Sequence, residues 1–274
     1  LVFDYQGSMT AEMIDHRFLQ SQDSLLYRML YRLETWINTQ ADMLLTSSEN
    51  ARTMLIHSFG HDANAVTTVA DGIDTTYFCP QPDNPDLRAI LGIPADRRVV
   101  VYLGLLAPYQ GTNILIEAIP QVIAAVPDAH FLIMGYPDPD SYRHYAQSVG
   151  VAAHVTLPGR IRYLDSHHYL GLGSVAVAPK MSLSEGSGKI PQYMALGLPV
   201  VTFDAAVSRQ YLGEQGIYAA YADRDDLAAK IIHTLQHPAQ AQQIGQQNRI
   251  AAVANHSITH IGPQLEAVYQ QLLD

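Results

Sequence analysis

The segment that decides the fold reads SLSEGSGKIPQYMALGLPVV, residues 182–201. It begins as a polar loop with two glycines, which follows an apolar run of strand length. Its middle predicts a short helix over 189–196, and the Gly-Leu-Pro triplet at 197–199 ends that helix. The apolar residues 200–203 then predict the next buried strand. A loop, a helix and a strand in this order are typical of an α/β protein with a parallel sheet.

The same segment contains groups that could bind a ligand. Its glycines let backbone N–H groups approach a ligand closely, and the start of a helix offers unpaired N–H donors to an anion. Lys189 adds a positive charge there, and Gln192 lies one helical turn further on. Glu185 could accept hydrogen bonds from hydroxyl groups. These residues indicate a pocket for a ligand with phosphate and hydroxyl groups, such as a nucleotide-sugar, and the simpler alternative is a surface loop that only caps a helix.

Apolar runs of strand length alternate with helical periodicity from residue 97 onward, so we predict a doubly wound C-terminal domain over 97–254. Between the runs, residues 113–125 have the apolar spacing of a helix. The other strands predicted in this domain are 98–103, 130–134, 154–157 and 175–178.

A smaller α/β region comes first, over residues 1–80. Three prolines, the first at position 80, predict a stiff, extended linker over 81–96. The final stretch, 263–273, is predicted as an amphipathic helix with Leu265, Val268 and Leu272 on its apolar face. Within 1–80 we expect an apolar helical stripe (Leu25, Leu26, Met29, Leu30, Leu33, Ile37), strands at 43–46 and 65–70, and a helix at 50–59.

The composition excludes several classes of protein. The chain has 274 residues and a net charge of −10, which would repel nucleic acid. A single cysteine, Cys79, excludes an intrachain disulfide and favours a reducing, cytoplasmic setting. The sequence has no apolar run long enough to span a membrane and no secretory signal. Because it opens on Leu1–Tyr5 without an initiator methionine, we expect an N-terminally incomplete chain.

The segment 182–201 resembles the donor-sugar motif of the family 4 glycosyltransferases, in which an acidic residue and a glycine-containing loop precede Lys-x-x-Glu-Tyr-Met-Ala-x-Gly-x-Pro-Val-Val. The resemblance implies the GT-B fold, with two Rossmann-like domains and parallel sheets. In that fold the N-terminal Rossmann-like domain, over 1–80, would be only partly present, and a C-terminal helix over 255–274 would pack back on it. It also implies sugar transfer from a nucleotide-diphosphate donor with retention of configuration, without metal or cofactor. Three further stretches agree with the family in order and spacing: 69–78, 101–111 and 155–161.

The resemblance assigns roles to individual residues. Glu185 and Lys189 would be catalytic, through donor-sugar hydroxyls and the diphosphate. Asp4 and Gln6, at the end of an N-terminal strand, would lie on the acceptor side. The residues implied to bind the donor are Gly104, Gln110, Gly159, Arg160, Ile161, Gly186, Ser187, Gly188 and Gln192, with 159–161 around the base and Gln192 near the ribose. The acceptor is left open as a sugar, a lipid-linked or a small molecule, with peripheral membrane contact through an N-terminal domain.

Several positions depart from the family pattern. The family has Arg and Lys where this chain has Leu105 and Gln110, and Glu where it has Gln192. A histidine is common where Gln6 stands. Two lost phosphate contacts, at roughly 1.5 to 3 kcal/mol each, would weaken catalysis unless other cations replace them. A catalytically weak homologue that acts as a binding or scaffold protein is therefore the alternative, and an epimerase or phosphorylase on this fold has no local support.

Other candidate residues are weaker. Asp138-Pro139-Asp140 is interpreted as a helix-entry turn and not as a metal motif. The pairs His57/His61 and His167/His168 are interpreted as surface histidines. Asp204 is either a residue of the site or a helix N-cap, and Cys79 is expected to be inert.

Overall fold

The computed structural model describes residues 1–15, 18–182 and 185–273. In these ranges the chain forms two parallel sheets flanked by helices. The strands are β1 Val2–Tyr5, β2 Met43–Thr46, β3 Val66–Thr68, β4 Arg98–Leu105, β5 Ala129–Tyr136, β6 Val155–Gly159, β7 Gly173–Ala178, β8 Val200–Phe203 and β9 Ile217–Ala219. The α-helices are α1 Met9–Asp15, α2 Leu25–Asn38, α3 Glu49–His57, α4 Pro85–Leu91, α5 Thr112–Ala125, α6 Pro139–Ser148, α7 Ser166–Leu170, α8 Lys189–Ala195, α9 Ala206–Leu212, α10 Arg224–Gln236, α11 Pro238–Ala251 and α12 Ile258–Gln271.

The larger sheet has the order β6-β5-β4-β7-β8-β9, and every pair is parallel. Its central strands are buried on both faces because α5 and α10 cover one side while α8 and α9 cover the other. This explains the near-continuous apolar runs, and the strands predicted from those runs are present. The short edge strand β9 was not predicted, since three residues give too little pattern to recognise.

The smaller sheet has the order β1-β2-β3 and is also parallel. One face packs Leu44 against Leu55 of α3. The other face brings Met43 and Leu45 into contact with Val268 of α12. The last helix therefore lies on the N-terminal sheet, although Leu265 and Leu272, which share its predicted apolar face, remain exposed.

The predicted apolar stripe of helix α2 is present, and most of it faces solvent. Leu25 is 75% exposed and Met29 is 60% exposed. The inner face instead buries Glu34, whose carboxylate accepts hydrogen bonds from the backbone N–H groups of Met9 (2.9 Å) and Thr10 (3.0 Å). The hydroxyl of Thr10 donates to the same carboxylate at 2.6 Å. Because Glu34 caps the first turn of α1, the inner face of α2 has to be polar at this position.

The segment predicted as an extended linker contains a helix, which corrects that prediction. Asn84 caps α4 through its side chain, Pro85 occupies the first turn, and Gly92 ends the helix in the left-handed conformation at φ 65°. Arg88 pairs with Asp83 at 2.7 Å and is nearly buried. Proline at the first helical position favours helix entry, whereas the sequence interpretation treated it as a sign of extended chain.

Arg249 of α11 ties the segment between the two sheets to α8. Its guanidinium donates to the carbonyl oxygens of Phe78 (2.8 Å), Ala195 (2.8 Å) and Thr75 (2.7 Å). One side chain thus fixes the end of α8 against the chain that leaves the smaller sheet. Among the described residues, no helix combines the length and the apolar character that crossing a membrane requires.

Candidate active site

A cleft of about 290 Å³ lies at the carboxyl ends of β4 and β7, where ligands bind in open α/β sheets. Leu103, Leu105 and Lys180 line part of its wall. Residues Leu183 and Ser184 of the decisive segment lie outside the described residues. The remaining wall brings together seven of the residues predicted to bind the donor or act in catalysis: Gly104, Gln110, Gly186, Ser187, Gly188, Lys189 and Gln192.

Lys189, the first residue of α8, points its ammonium across the cleft toward β4. The ammonium donates to Gln110 Oε1 at 2.9 Å and to the hydroxyl of Tyr102 at 3.3 Å. It also lies 4.5 Å from the centroid of the Tyr102 ring, a cation–π contact. Burial, followed by the nearby ammonium of Lys180, lowers the pKa of Lys189 to about 7.

Gly104 allows this approach because it has no side chain. A Cβ at this position would lie 2.6 Å from Lys189 Nζ and 3.0 Å from the hydroxyl of Tyr102. Any larger residue would displace the ammonium. The observed position of the Lys189 ammonium therefore requires a glycine at position 104 of β4.

Gln110, which stands where the family has lysine, is 94% buried and serves as the acceptor for Lys189. Leu105, which stands where the family has arginine, lines the cleft without supplying a charge. The structure thus places two basic side chains on the cleft wall, Lys180 and Lys189.

Lys180 links the cleft to Glu185. Its ammonium lies 2.5 Å from Glu185 Oε2 and donates to the carbonyl oxygen of Gly186 at 2.6 Å. Both side chains are largely buried, so the pair holds the start of the glycine loop in place. Glu185 therefore adjoins the cleft as an ion-paired carboxylate, and its proposed role toward sugar hydroxyls remains a prediction.

Two buried polar atoms of the site have no hydrogen-bond partner in the part of the chain that the structure describes. They are Ser187 Oγ and Gln192 Oε1. A buried acceptor without a partner makes the folded protein less stable, and a hydrogen bond from a ligand hydroxyl would offset that cost. Gln192 is thus suited to a hydroxyl such as that of a ribose.

The residues predicted around the base lie on another part of the sheet edge. Gly159 ends β6, which is two strands from β4, so about 10 Å separates it from the lysine side of the cleft. The guanidinium of Arg160 lies 5.1 Å from the centroid of the Tyr136 ring, at the end of β5. Ile161 packs against the core. These three residues do not line the cleft that contains Lys189.

The N-terminal region meets this site beside Glu185. Gln6 Nε2 donates to Asp4 Oδ1 at 2.6 Å, so the two predicted acceptor-side residues contact each other. Glu12 of α1, which the sequence analysis missed, lies beside Glu185. A Cβ at Gly7 would lie 2.3 Å from Glu12 Oε1 and 3.3 Å from Glu185 Cγ. Burial, followed by the Glu185 carboxylate, raises the pKa of Glu12 to about 7.

Two of the weaker sequence predictions need correction. His167 is buried against the rings of Tyr77 and Phe78, at centroid distances of 4.6 and 6.0 Å, and is not a surface residue, whereas His168 is exposed. His61 is half-buried, and burial lowers its pKa. The aromatic rings that bury His167 come from a distant part of the chain and could not be read from local sequence.

Asp204 does not cap α9, whose N-cap residue is Ala205, and it does not line the cleft. Both its oxygens pair with Arg209 (2.6 and 2.7 Å). Asp138 caps α6 through Ser141 N at 3.2 Å, which confirms the helix-entry turn. Within the described ranges, no three His, Cys, Asp or Glu side chains converge as metal ligands would.

The sequence family described as Glycosyl transferases group 1 matches residues 97–237, just over half of the 274 residues. The chain belongs to this family. D-inositol 3-phosphate glycosyltransferase of Corynebacterium glutamicum (strain R) is 30% identical over 175 residues, which are 59% of this chain and 40% of that protein. The GDP-mannose-dependent alpha-(1-6)-phosphatidylinositol monomannoside mannosyltransferase of Mycolicibacterium smegmatis is 29% identical over 231 residues, 80% of this chain and 59% of that protein. The chain thus spans about half the length of these relatives.

Solved structures confirm the GT-B fold. Sucrose-phosphate synthase of Thermosynechococcus elongatus superposes with a TM-score of 0.84 at 22% identity, over 99% of this chain and 67% of that chain. Anabaena HepE in complex with UDP-glucose superposes with a TM-score of 0.83 at 18% identity, over 99% of this chain and 72% of that chain. At this level of identity the likeness shows the fold alone.

Proposed function

We propose that the protein transfers a sugar from a nucleotide-diphosphate donor to a hydroxyl-bearing acceptor, with retention of configuration and without a metal. The observation that carries the proposal is the position of Lys189, whose ammonium lies in a cleft with the glycine loop on one side and Gly104 on the other. The relatives named as glycosyltransferases and the complex of HepE with UDP-glucose support a nucleotide-sugar ligand. Retention and metal independence rest on the family resemblance. A cytoplasmic location is proposed from the single cysteine.

Each residue of the cleft would contact a different part of the donor. Lys189 would meet the diphosphate and offset the negative charge that develops on it as the sugar leaves. Gln192 Oε1, buried without a partner among the described residues, would accept from a ribose hydroxyl. Glu185 would accept from hydroxyls of the donor sugar. The acceptor would enter from the side of the smaller sheet, where Asp4 and Gln6 lie.

Calorimetric titration of the full chain with UDP, GDP and ADP tests this function. We expect one of them to bind, and Lys189→Met to weaken it by about 10- to 100-fold, because a hydrogen bond to a charged group contributes roughly 1.5–3 kcal/mol. Lys230→Met is the matched control, since Lys230 lies on α10 near Asp226 (3.8 Å) and away from the cleft. The proposal is wrong if none of the three nucleotides binds to the wild-type chain.

A catalytically weak or inactive homologue with a binding or scaffold role is the second candidate. It is favoured by the existing partners of the two cleft lysines: Lys180 is paired with Glu185, and Lys189 is bound to Gln110. The variant that carries Leu105→Arg and Gln110→Lys restores the family's charges. A large gain in donor hydrolysis or transfer would support the second candidate, whereas no gain over measurable wild-type activity would exclude it.

A further inference from the structure

Lys180 is the second basic side chain on the wall of the cleft that contains Lys189. It follows β7, so it lies at the carboxyl edge of the larger sheet, where the cleft opens. Its side chain is 10% exposed, whereas that of Lys230, on the surface of α10, is 40% exposed. A largely buried ammonium requires partners that compensate its charge, so the contacts of Lys180 show what the charge is available for.

The partners of the Lys180 ammonium occupy two of its three N–H donors. The nitrogen lies 2.5 Å from Glu185 Oε2 and donates to the carbonyl oxygen of Gly186 at 2.6 Å. An ammonium has three donors and no acceptor, and no other described residue forms a hydrogen bond or ion pair with this one. Because Lys180, Gly186 and Lys189 all line the cleft, a ligand oxygen in the cleft can accept from the third donor.

The cleft needs a second cation because Lys189 alone carries too little charge for a diphosphate. The pKa of Lys189 is lowered to about 7 by burial and then by the charge of Lys180, so about half of it is protonated at neutral pH. A terminal phosphate alone carries roughly two negative charges near pH 7. The positions where the family has basic residues are the neutral Leu105 and Gln110. In the part of the chain that the structure describes, Lys180 is the other basic residue on the cleft wall.

We propose that Lys180 is a donor-binding residue that takes the place of the missing family cations: while it stays paired with Glu185, its third N–H donor binds a phosphate oxygen of the diphosphate together with Lys189. This inference rests on the proposed function. A lysine binds phosphate as a point charge, so one ammonium can contact a carboxylate and a phosphate at once. Glu185 then has two opposing effects, because it holds the ammonium at the cleft wall and competes with the phosphate for its charge.

Calorimetric titration of the full chain with UDP, GDP, ADP and inorganic pyrophosphate tests the inference. Lys180→Met is expected to raise Kd about tenfold, because a hydrogen bond from a charged group is lost, and Lys180→Arg is expected to stay within about threefold of wild type. Removing the charge of Lys180 can at most double the protonated fraction of Lys189 near pH 7, so a tenfold loss remains visible. Lys230→Met is the matched control and should bind like the wild type.

Glu185→Gln separates direct phosphate binding from a purely structural role of Lys180. The substitution removes the competing charge and keeps a polar partner, so it is expected to lower the Kd of pyrophosphate about three- to tenfold. These probes contain no donor sugar, so the role proposed for Glu185 toward sugar hydroxyls does not enter. The double variant Lys180→Met/Glu185→Gln is expected to bind about tenfold more weakly than Glu185→Gln alone. A lysine that only neutralised Glu185 would cause no such loss.

The outcomes distinguish this inference from the proposed function. A Lys180→Met variant that is folded by its thermal midpoint and binds nucleotide like the wild type would overturn the inference while the proposed function stands. The same conclusion would follow if the double variant bound as tightly as Glu185→Gln. If the wild type binds pyrophosphate but none of the three nucleotides, the proposed function is wrong and Lys180→Met still decides the inference. A wild type that binds neither would overturn both.

Discussion

Raising the pH from about 7.0 to about 8.5 should weaken nucleotide binding, because Lys189 loses its proton over this range. Its pKa is lowered to about 7 by burial and then by the charge of Lys180, so the cationic form declines as the pH rises. Half of the side chains are protonated near pH 7 and about 3% near pH 8.5, so Kd should rise about 15-fold if only the ammonium binds the diphosphate. The nucleotide keeps its charge, since its last ionisation lies near pH 6.

The assay is isothermal titration at several pH values with the wild type and with Lys189→Arg. Arginine stays protonated throughout, so its profile should be flat. Glu12, whose pKa is raised to about 7 by burial and then by Glu185, titrates in the same range, and any slope left in Lys189→Arg measures its effect. A wild-type Kd that stays constant between pH 7 and 8.5 would refute the reasoning about Lys189.

Three substitutions give further tests. Gly104→Ala places a methyl group 2.6 Å from Lys189 Nζ and should raise the nucleotide Kd by about 10-fold or more, because the ammonium must move; the thermal midpoint of the variant shows whether it stays folded. Gln192→Glu puts a charged acceptor in place of the unpartnered amide oxygen and should tighten binding of a nucleoside diphosphate several-fold over the same nucleotide lacking its ribose hydroxyls; equal effects on both would contradict the role. Glu34→Ala leaves the buried N–H groups at the start of α1 without an acceptor and should lower the free energy of unfolding by about 2–4 kcal/mol in urea titration, whereas a change below about 0.5 kcal/mol would contradict the capping role.

The sheets and the crossover helices could be predicted because their signals are local. The runs in β4 and β5 are apolar without interruption, as expected for strands covered on both faces. The orientation of α2 could not be predicted, because periodicity identifies an apolar stripe but not what it faces. That orientation depends on the hydrogen bonds that the Glu34 carboxylate accepts from Met9 and Thr10 at the start of α1.

Some residues of the candidate site could likewise be predicted from the sequence and others could not. Lys189 and Gln192 could be found because the loop, the lysine and the glutamine are neighbours in sequence. Glu12 could not, since it lies far from Glu185 in sequence and their meeting depends on how α1 docks beside the glycine loop.

The outward-facing stripe of α2 has a consequence for how molecules of this protein meet in solution. Apolar side chains from Leu25 to Ile37 form one face that is open to water. The net charge of −10 keeps molecules apart, but salt at physiological strength limits that repulsion to about 8 Å. At close range the stripe then adds an attraction between copies of the 274-residue chain, so the solubility of that chain should fall as salt is added, and polar substitutions on the stripe should raise it.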